Sequence, residues 1–159
     1  MMTTGDAMAP STTIPFDNLP ILSALLAGFL AQFLKIFTTW YKEKRWTSKK
    51  LFDSGGMPSS HSAAVTALAT AIGFQDGIGG SLFPLAVVFA AVVMCDASGV
   101  RLHAGMQAEL LNQIVCELPP QHQLSNISPL RDSLGHTPCQ VIAGAILGCI
   151  VSYIMRRSA

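Results

Sequence analysis

Charge is what this chain has least of. Of its 159 residues only 12% are Asp, Glu, Lys or Arg, and the formal net charge is +1. A soluble domain carries about twice that charged fraction, so the composition argues against a chain in free solution. The near-neutral balance, with no basic stripe interleaved with aromatics, argues against a nucleic-acid partner. Cys95, Cys116, Cys139 and Cys149 form no CxxC pair. Three of them lie in or beside apolar runs, which predicts buried free thiols rather than disulfides or zinc ligands. Residues 1–18 hold Asp6 and Asp17 but neither Lys nor Arg. They therefore lack the basic start of a secretory signal and the arginines of a transit peptide, and are expected to form a flexible lead-in. Internal repeats and low-complexity tracts are missing too. The length predicts a single domain, over 19–157.

Apolar sequence is abundant. Half of the residues are hydrophobic and the mean hydropathy is +0.45. Four apolar segments, at 19–40, 58–74, 82–99 and 138–153, meet or approach the roughly 17–25 residues needed to cross a bilayer. The second and fourth are short and rich in Ala, Gly, Ser and Thr, a composition that favours close helix packing over lipid contact. Between the third and fourth lies 100–118, with Val100, Ala104, Ala108, Leu111, Ile114, Val115 and Leu118 at approximately helical spacing and Arg101, Gln107, Glu109, Asn112 and Gln113 on the other face. Pro119 and Pro120 end it. The expected fold is an all-α integral membrane protein: four short transmembrane helices plus one amphipathic helix in a compact bundle.

The stretch 41–50 carries Lys42, Lys44, Arg45, Lys49 and Lys50 against Glu43. By the positive-inside rule this loop should face the cytoplasm, with both termini on the far side. Arg156 and Arg157 at the tail weigh against that orientation.

The run Gly-Gly-Met-Pro-Ser-Ser-His-Ser at 55–62 opens the second apolar segment. Two glycines permit tight turning, and Pro58 suits the first position of a helix. Ser59, Ser60 and His61 then fall in the first turn, among unpaired N–H groups at the positive end of the helix dipole. That is a seat for an oxyanion, phosphate first, with a proton-carrying imidazole on its rim.

Alternation of four spans brings other polar groups to the same membrane face. Asp96, Ser98 and Arg101 end the third segment, Gly135, His136 and Thr137 begin the fourth, and Lys35 lies near the end of the first. Ionisable groups at membrane depth default to a functional reading, because burying them is costly. Each also has a structural reading. His61 can bond a neighbouring carbonyl, Arg101 can pair with Asp96 or Glu109, and Lys35 can snorkel to the headgroups. Thr137-Pro138-Cys139-Gln140 fits a capping box, with Gln140 reaching back to the N-cap.

Met-Pro-Ser-Ser-His-Ser at 57–62, Asp-Ala-Ser-Gly-Val-Arg at 96–101 and Leu-Gly-His-Thr-Pro at 134–138 resemble the divergent branch of the type 2 phosphatidic acid phosphatase family, which is related to acid phosphatases and vanadium-dependent haloperoxidases. Ala-Gln-Phe-Leu-Lys at 31–35 fits the same pattern. The resemblance implies that His136 is a nucleophile that becomes phosphorylated, and that His61 protonates the leaving oxygen. It further implies that Lys35 and either Arg101 or Arg131 hold the equatorial oxygens, with Lys49 and Lys50 the next matches for the lysine. The helix-end N–H groups of Ser59 and Ser60 would add donors.

Three features depart from the family pattern. Ser60 replaces a glycine, Gln140 stands where an aspartate would orient the nucleophile, and the Ser-Arg pair upstream of the nucleophile is not reproduced, Arg131 lying one residue short of the family's interval before His136. Asp96 and Asp132 are the alternative carboxylates. No metal or cofactor is implied, vanadate entering only as a phosphate mimic. The expected partner is membrane lipid, with a lipidic phosphomonoester or diphosphate as substrate at the cytoplasmic headgroup level, and a homo-oligomer is compatible with so small a bundle. The alternative is a catalytically impaired membrane protein that binds anionic lipid or a protein partner through the same pocket.

Overall fold

The computed structural model describes residues 18–43, 56–119, 121–125, 127–132 and 134–158. The lead-in at 1–17 and the Lys44, Arg45, Lys49 and Lys50 positions of the basic loop lie outside them. Among the described residues five helices follow one another: α1 (Leu19–Glu43), α2 (Ser60–Gln75), α3 (Leu82–Ser98), α4 (Val100–Glu117) and α5 (Pro138–Ser158). Each of the four apolar segments forms a helix, and the amphipathic segment forms α4.

Small residues meet on the inside. Ala27, Ala31, Ala63 and Ala67 are fully buried and form the core with Val151, while large apolar side chains are exposed: Phe29 and Phe33 on α1, Leu85 and Val88 on α3, Ile142 and Ile146 on α5. This inverts the soluble pattern and suits a bundle whose solvent is lipid. Among the described residues, Leu19–Thr38, Leu82–Glu117 and Pro138–Ser158 are long and apolar enough to cross a membrane by length and composition. Helix α2, at 16 residues, spans only about 24 Å, short of the roughly 30 Å hydrocarbon core. It is instead the shared neighbour, packed against α1, α3 and α5, and its buried face is Ser62, Ala63, Thr66, Ala67, Ala69 and Ala71.

Close contacts set the directions. Along α2 and α5, Ser59 meets Gly144, Ala63 and Thr66 meet Gly148, and Phe74 meets Arg156, so the two helices run parallel. A Cβ at Gly148 would sit 2.2 Å from Thr66 Oγ1 and 2.3 Å from the Ala63 carbonyl oxygen, so the approach requires glycine. Helices α1 and α3 run the other way, Lys35 facing Gly56 and Phe83 facing Gly73. The start of α2, the start of α5, the later turns of α1 and the end of α3 therefore share one end of the bundle. At the other end Arg156 donates to the Phe74 carbonyl (2.6 Å) and stacks on the Phe74 ring. Its charge thus closes the end of α2, which accounts for one tail arginine on that side.

Between α3 and α4, hydrogen bonding continues through Gly99, which accepts from His103 N–H and donates to the Cys95 carbonyl. The four cysteines are free, as expected, but all are exposed rather than buried. The reason is that the interior admits small residues, while the apolar character of these runs serves an outward, lipid-facing surface.

Candidate active site

Lys35 is 5% exposed, so it does not snorkel outward. Its stem runs over Gly56, where any Cβ would lie 2.5 Å from Lys35 Cε. One turn further on, Thr38 Oγ1 donates to the Met57 carbonyl (2.6 Å), tying the turn before α2 to α1.

Ser59 is the N-cap of α2. It is fully buried, its hydroxyl oxygen accepts from Ser62 N–H (3.4 Å) and Ser62 Oγ (3.0 Å), and its N–H donates to the Gln140 carbonyl (3.1 Å). This corrects the expectation that the Ser59 N–H is offered to a phosphate: it joins α2 to α5 through the Gln140 carbonyl, while the hydroxyl oxygen caps the helix. Ser60, half-buried, begins the helix, and His61 beside it is exposed.

His136 is 4% exposed, and its N–H donates to the Ala97 carbonyl (3.0 Å), which docks the start of α5 on the end of α3. Gln140 orients the ring. Thr137 N–H donates to Gln140 Oε1 at 2.9 Å; a backbone N–H only donates, so that atom is the oxygen and not the amide nitrogen. The same Oε1 lies 3.3 Å from His136 Nδ1. Since Oε1 only accepts, Nδ1 carries a proton, and in the neutral ring Nε2 keeps its lone pair. Gln140 is thus both the capping residue expected from the local pattern and a support for the ring.

His61, Val93, Ala97, Arg101, Leu134 and His136 line one partly enclosed cleft, with about 10 Å³ open to the centre of a water molecule. Two imidazoles and a guanidinium thus meet between apolar walls. Arg101 Nε donates to Asp96 Oδ2 at 2.5 Å, the pairing anticipated as its structural alternative, while the arginine still faces the cleft. With side chains 52% and 35% exposed, this pair orients the guanidinium and adds little stability. Burial holds the His136 imidazole below its ordinary value of 6.5. The Gln140 hydrogen bond opposes that shift, and the positive charges of Lys35, His61 and Arg101 add to it. Burial and the positive charges both favour the neutral imidazole over the imidazolium.

The other expected residues fall elsewhere. Arg131 is exposed and outside the cleft lining. Asp132 lines a separate open groove of about 450 Å³ with Glu109, Asn112, Gln113, Cys116 and Glu117. Its three carboxylates make that groove unsuited to a phosphate. Asp96 serves Arg101, and Ser98 Oγ turns back to the Met94 carbonyl. The apolar walls Val93, Ala97 and Leu134 were not legible in the sequence, since nothing local separates them from other lining residues of a helix.

The fold and this constellation define a helical membrane protein with two histidines at one cleft. The model of the Divergent PAP2 family matches residues 16–151, and the chain belongs to that family. It is also similar to the uncharacterized membrane protein YuiD of Bacillus subtilis (strain 168), at 35% identity over 148 residues, covering 87% of this chain and 94% of that protein. No solved structure matches it.

Proposed function

We propose that this protein is a membrane phosphatase that hydrolyses a lipidic phosphomonoester or diphosphate through a phosphohistidine. The observation that carries this reading is the meeting of His61, Arg101 and His136 on one cleft, with Gln140 at Nδ1 making Nε2 the unprotonated nitrogen of the neutral His136 ring. His136 Nε2 attacks phosphorus; the P–N bond forms as the bond to the leaving oxygen breaks, and His61 gives that oxygen its proton. Water then attacks the phosphohistidine, His61 takes its proton, and the P–N bond breaks to release phosphate. Arg101 and Lys35 supply positive charge to the equatorial oxygens, as phosphoryl transfer requires. No metal or organic cofactor enters these steps. The basic loop, next to this end of the bundle in sequence, places the site at the cytoplasmic headgroups in the same reading.

Phosphate release from a panel of lipid phosphates, by the purified protein beside His136→Ala and His61→Ala, tests it. Both substitutions should abolish release, and His61→Ala should retain acid-labile phosphate on His136 with an activated substrate. One observation favours a second reading. Gln140 accepts a hydrogen bond from the nucleophile's ring but brings no charge to stabilise an imidazolium, which suits a pocket that binds anionic lipid without turnover. Lipid-phosphate binding that survives in wild type with no release between pH 5 and about 8 would select that reading.

A further inference from the structure

The segment that delivers His136 is laid along the α3–α4 rod in the opposite direction, and four contacts set its register. Asn112 Nδ2 donates to the Leu130 carbonyl (2.8 Å), and Leu130 N–H donates to Asn112 Oδ1 (2.8 Å). Two residues on, the Asp132 carbonyl sits in the notch of Gly105, where a Cβ would lie 2.5 Å from it. Gly135 then lies against Leu102, an added Cβ falling 2.2 Å from Leu102 Cα. Last, His136 N–H reaches the Ala97 carbonyl. Successive points on the segment thus match positions 112, 105, 102 and 97 on the rod. Three of the four are backbone approaches that any slide of the segment would disturb; at the fourth, Asn112 holds it through a side chain.

The amide at 112 offers one donor and one acceptor at the spacing of a peptide group, so it pairs with Leu130 as a neighbouring strand would. A carboxylate would keep the acceptor and lose the donor, and an aliphatic group would lose both. We propose that Asn112 is a positioning residue for the nucleophile: its paired hydrogen bonds to Leu130 fix the register in which His136 enters the cleft opposite His61. This rests on the reading of His136 as the nucleophile. Asn112 is not among the residues that line the cleft, and its side chain bonds Leu130, so its effect passes through the segment it holds.

The test compares wild type with Asn112→Asp and Asn112→Leu in two ways. The first is carbethoxylation of each histidine by diethyl pyrocarbonate, followed by mass spectrometry, which needs no turnover. The buried His136 ring should react slowly in wild type, faster in Asn112→Asp and fastest in Asn112→Leu, while exposed His61 reacts at one rate in all three. The second is kinetics on a lipid phosphate that wild type hydrolyses. There kcat should fall about 10- to 100-fold in Asn112→Leu with KM little changed, the range for a catalytic group displaced by about 1 Å, and Asn112→Asp should lie between.

An unchanged His136 rate in Asn112→Leu overturns the proposal. So does acceleration of both histidines together in both variants, which would make Asn112 a general support of the fold. Should wild type release no phosphate, the phosphatase reading fails while the His136 and His61 rates still decide the role of Asn112.

Discussion

Gly144→Ala tests how closely the site depends on helix packing. Gly144 faces the N-cap of α2, and a Cβ there would lie 2.3 Å from the Ser59 carbonyl oxygen and 3.1 Å from Ser62 Cβ. The first distance is more than 1 Å inside the 3.4 Å where ordinary contact begins, and the atom in the way is backbone, which cannot rotate aside. Relief requires α2 and α5 to part, and the same movement stretches the Ser59 N–H bond to the Gln140 carbonyl. Overpacking of this kind costs about 1–3 kcal/mol, and a backbone clash puts it near the upper end. Alanine's better helix propensity returns about 1 kcal/mol, leaving a net loss of about 2 kcal/mol. For a chain of this size that corresponds to a fall in Tm of about 4–8 °C. Circular dichroism at 222 nm during heating in one detergent measures it, with Gly79→Ala as control, since a Cβ at Gly79 meets nothing within 4 Å. Because Gln140 also supports His136, any phosphate release should fall with Tm. A Tm for Gly144→Ala equal to that of Gly79→Ala would refute the packing argument.

Two further predictions concern His136. Since the His136 imidazole titrates below 6.5, it stays neutral as pH falls past that value. The acid limb of kcat/KM should therefore lie below 6.5. Lys35→Met removes one of the charges that lower it and should move the limb to higher pH; a limb that stays put would detach Lys35 from the site. The same shift has a stability sign. As pH falls below 6.5 the unfolded chain takes up this proton before the folded one, so His136 removes stability through that window and none above it. Gln140→Glu keeps acceptors for Thr137 N–H and His136 Nδ1–H and adds a negative charge beside the ring. The acid limb should rise and the phosphohistidine should form faster, whereas Gln140→Leu should lose release. Rapid-quench measurement of acid-labile phosphate compares them, and a slower Gln140→Glu would contradict an orienting role.

Much of the site was readable before its geometry. Gly-Gly-Met-Pro-Ser-Ser-His, Asp96 with Arg101, and Gly135 with His136 each sit at an element boundary, so alternating spans were enough to place them at one end. Within that end the roles were not readable. Ser59 and Ser60 are adjacent hydroxyls with the same local chemistry, yet Ser59 is sealed between α2 and α5 while Ser60 stays half-buried. Arg101 and Arg131 are equal candidates by type, and only Arg101 reaches the cleft. Asn112 read as one polar residue on an amphipathic helix, because its partner Leu130 lies across a turn with no periodicity of its own.

By itself the chain's order of residues determined the helical segments, the membrane character and the family, because period, span length and motif are properties of neighbouring residues. Tertiary structure decided which way each helix faces. In lipid, hydrophobicity does not distinguish inside from outside, so the choice passes to close fit. Gly144 and Gly148 against α2, with Gly105 and Gly135 between α4 and the segment that leads to His136, set those rotations. They bring His136 to the cleft it shares with His61, while Gly56 leaves room for the buried stem of Lys35.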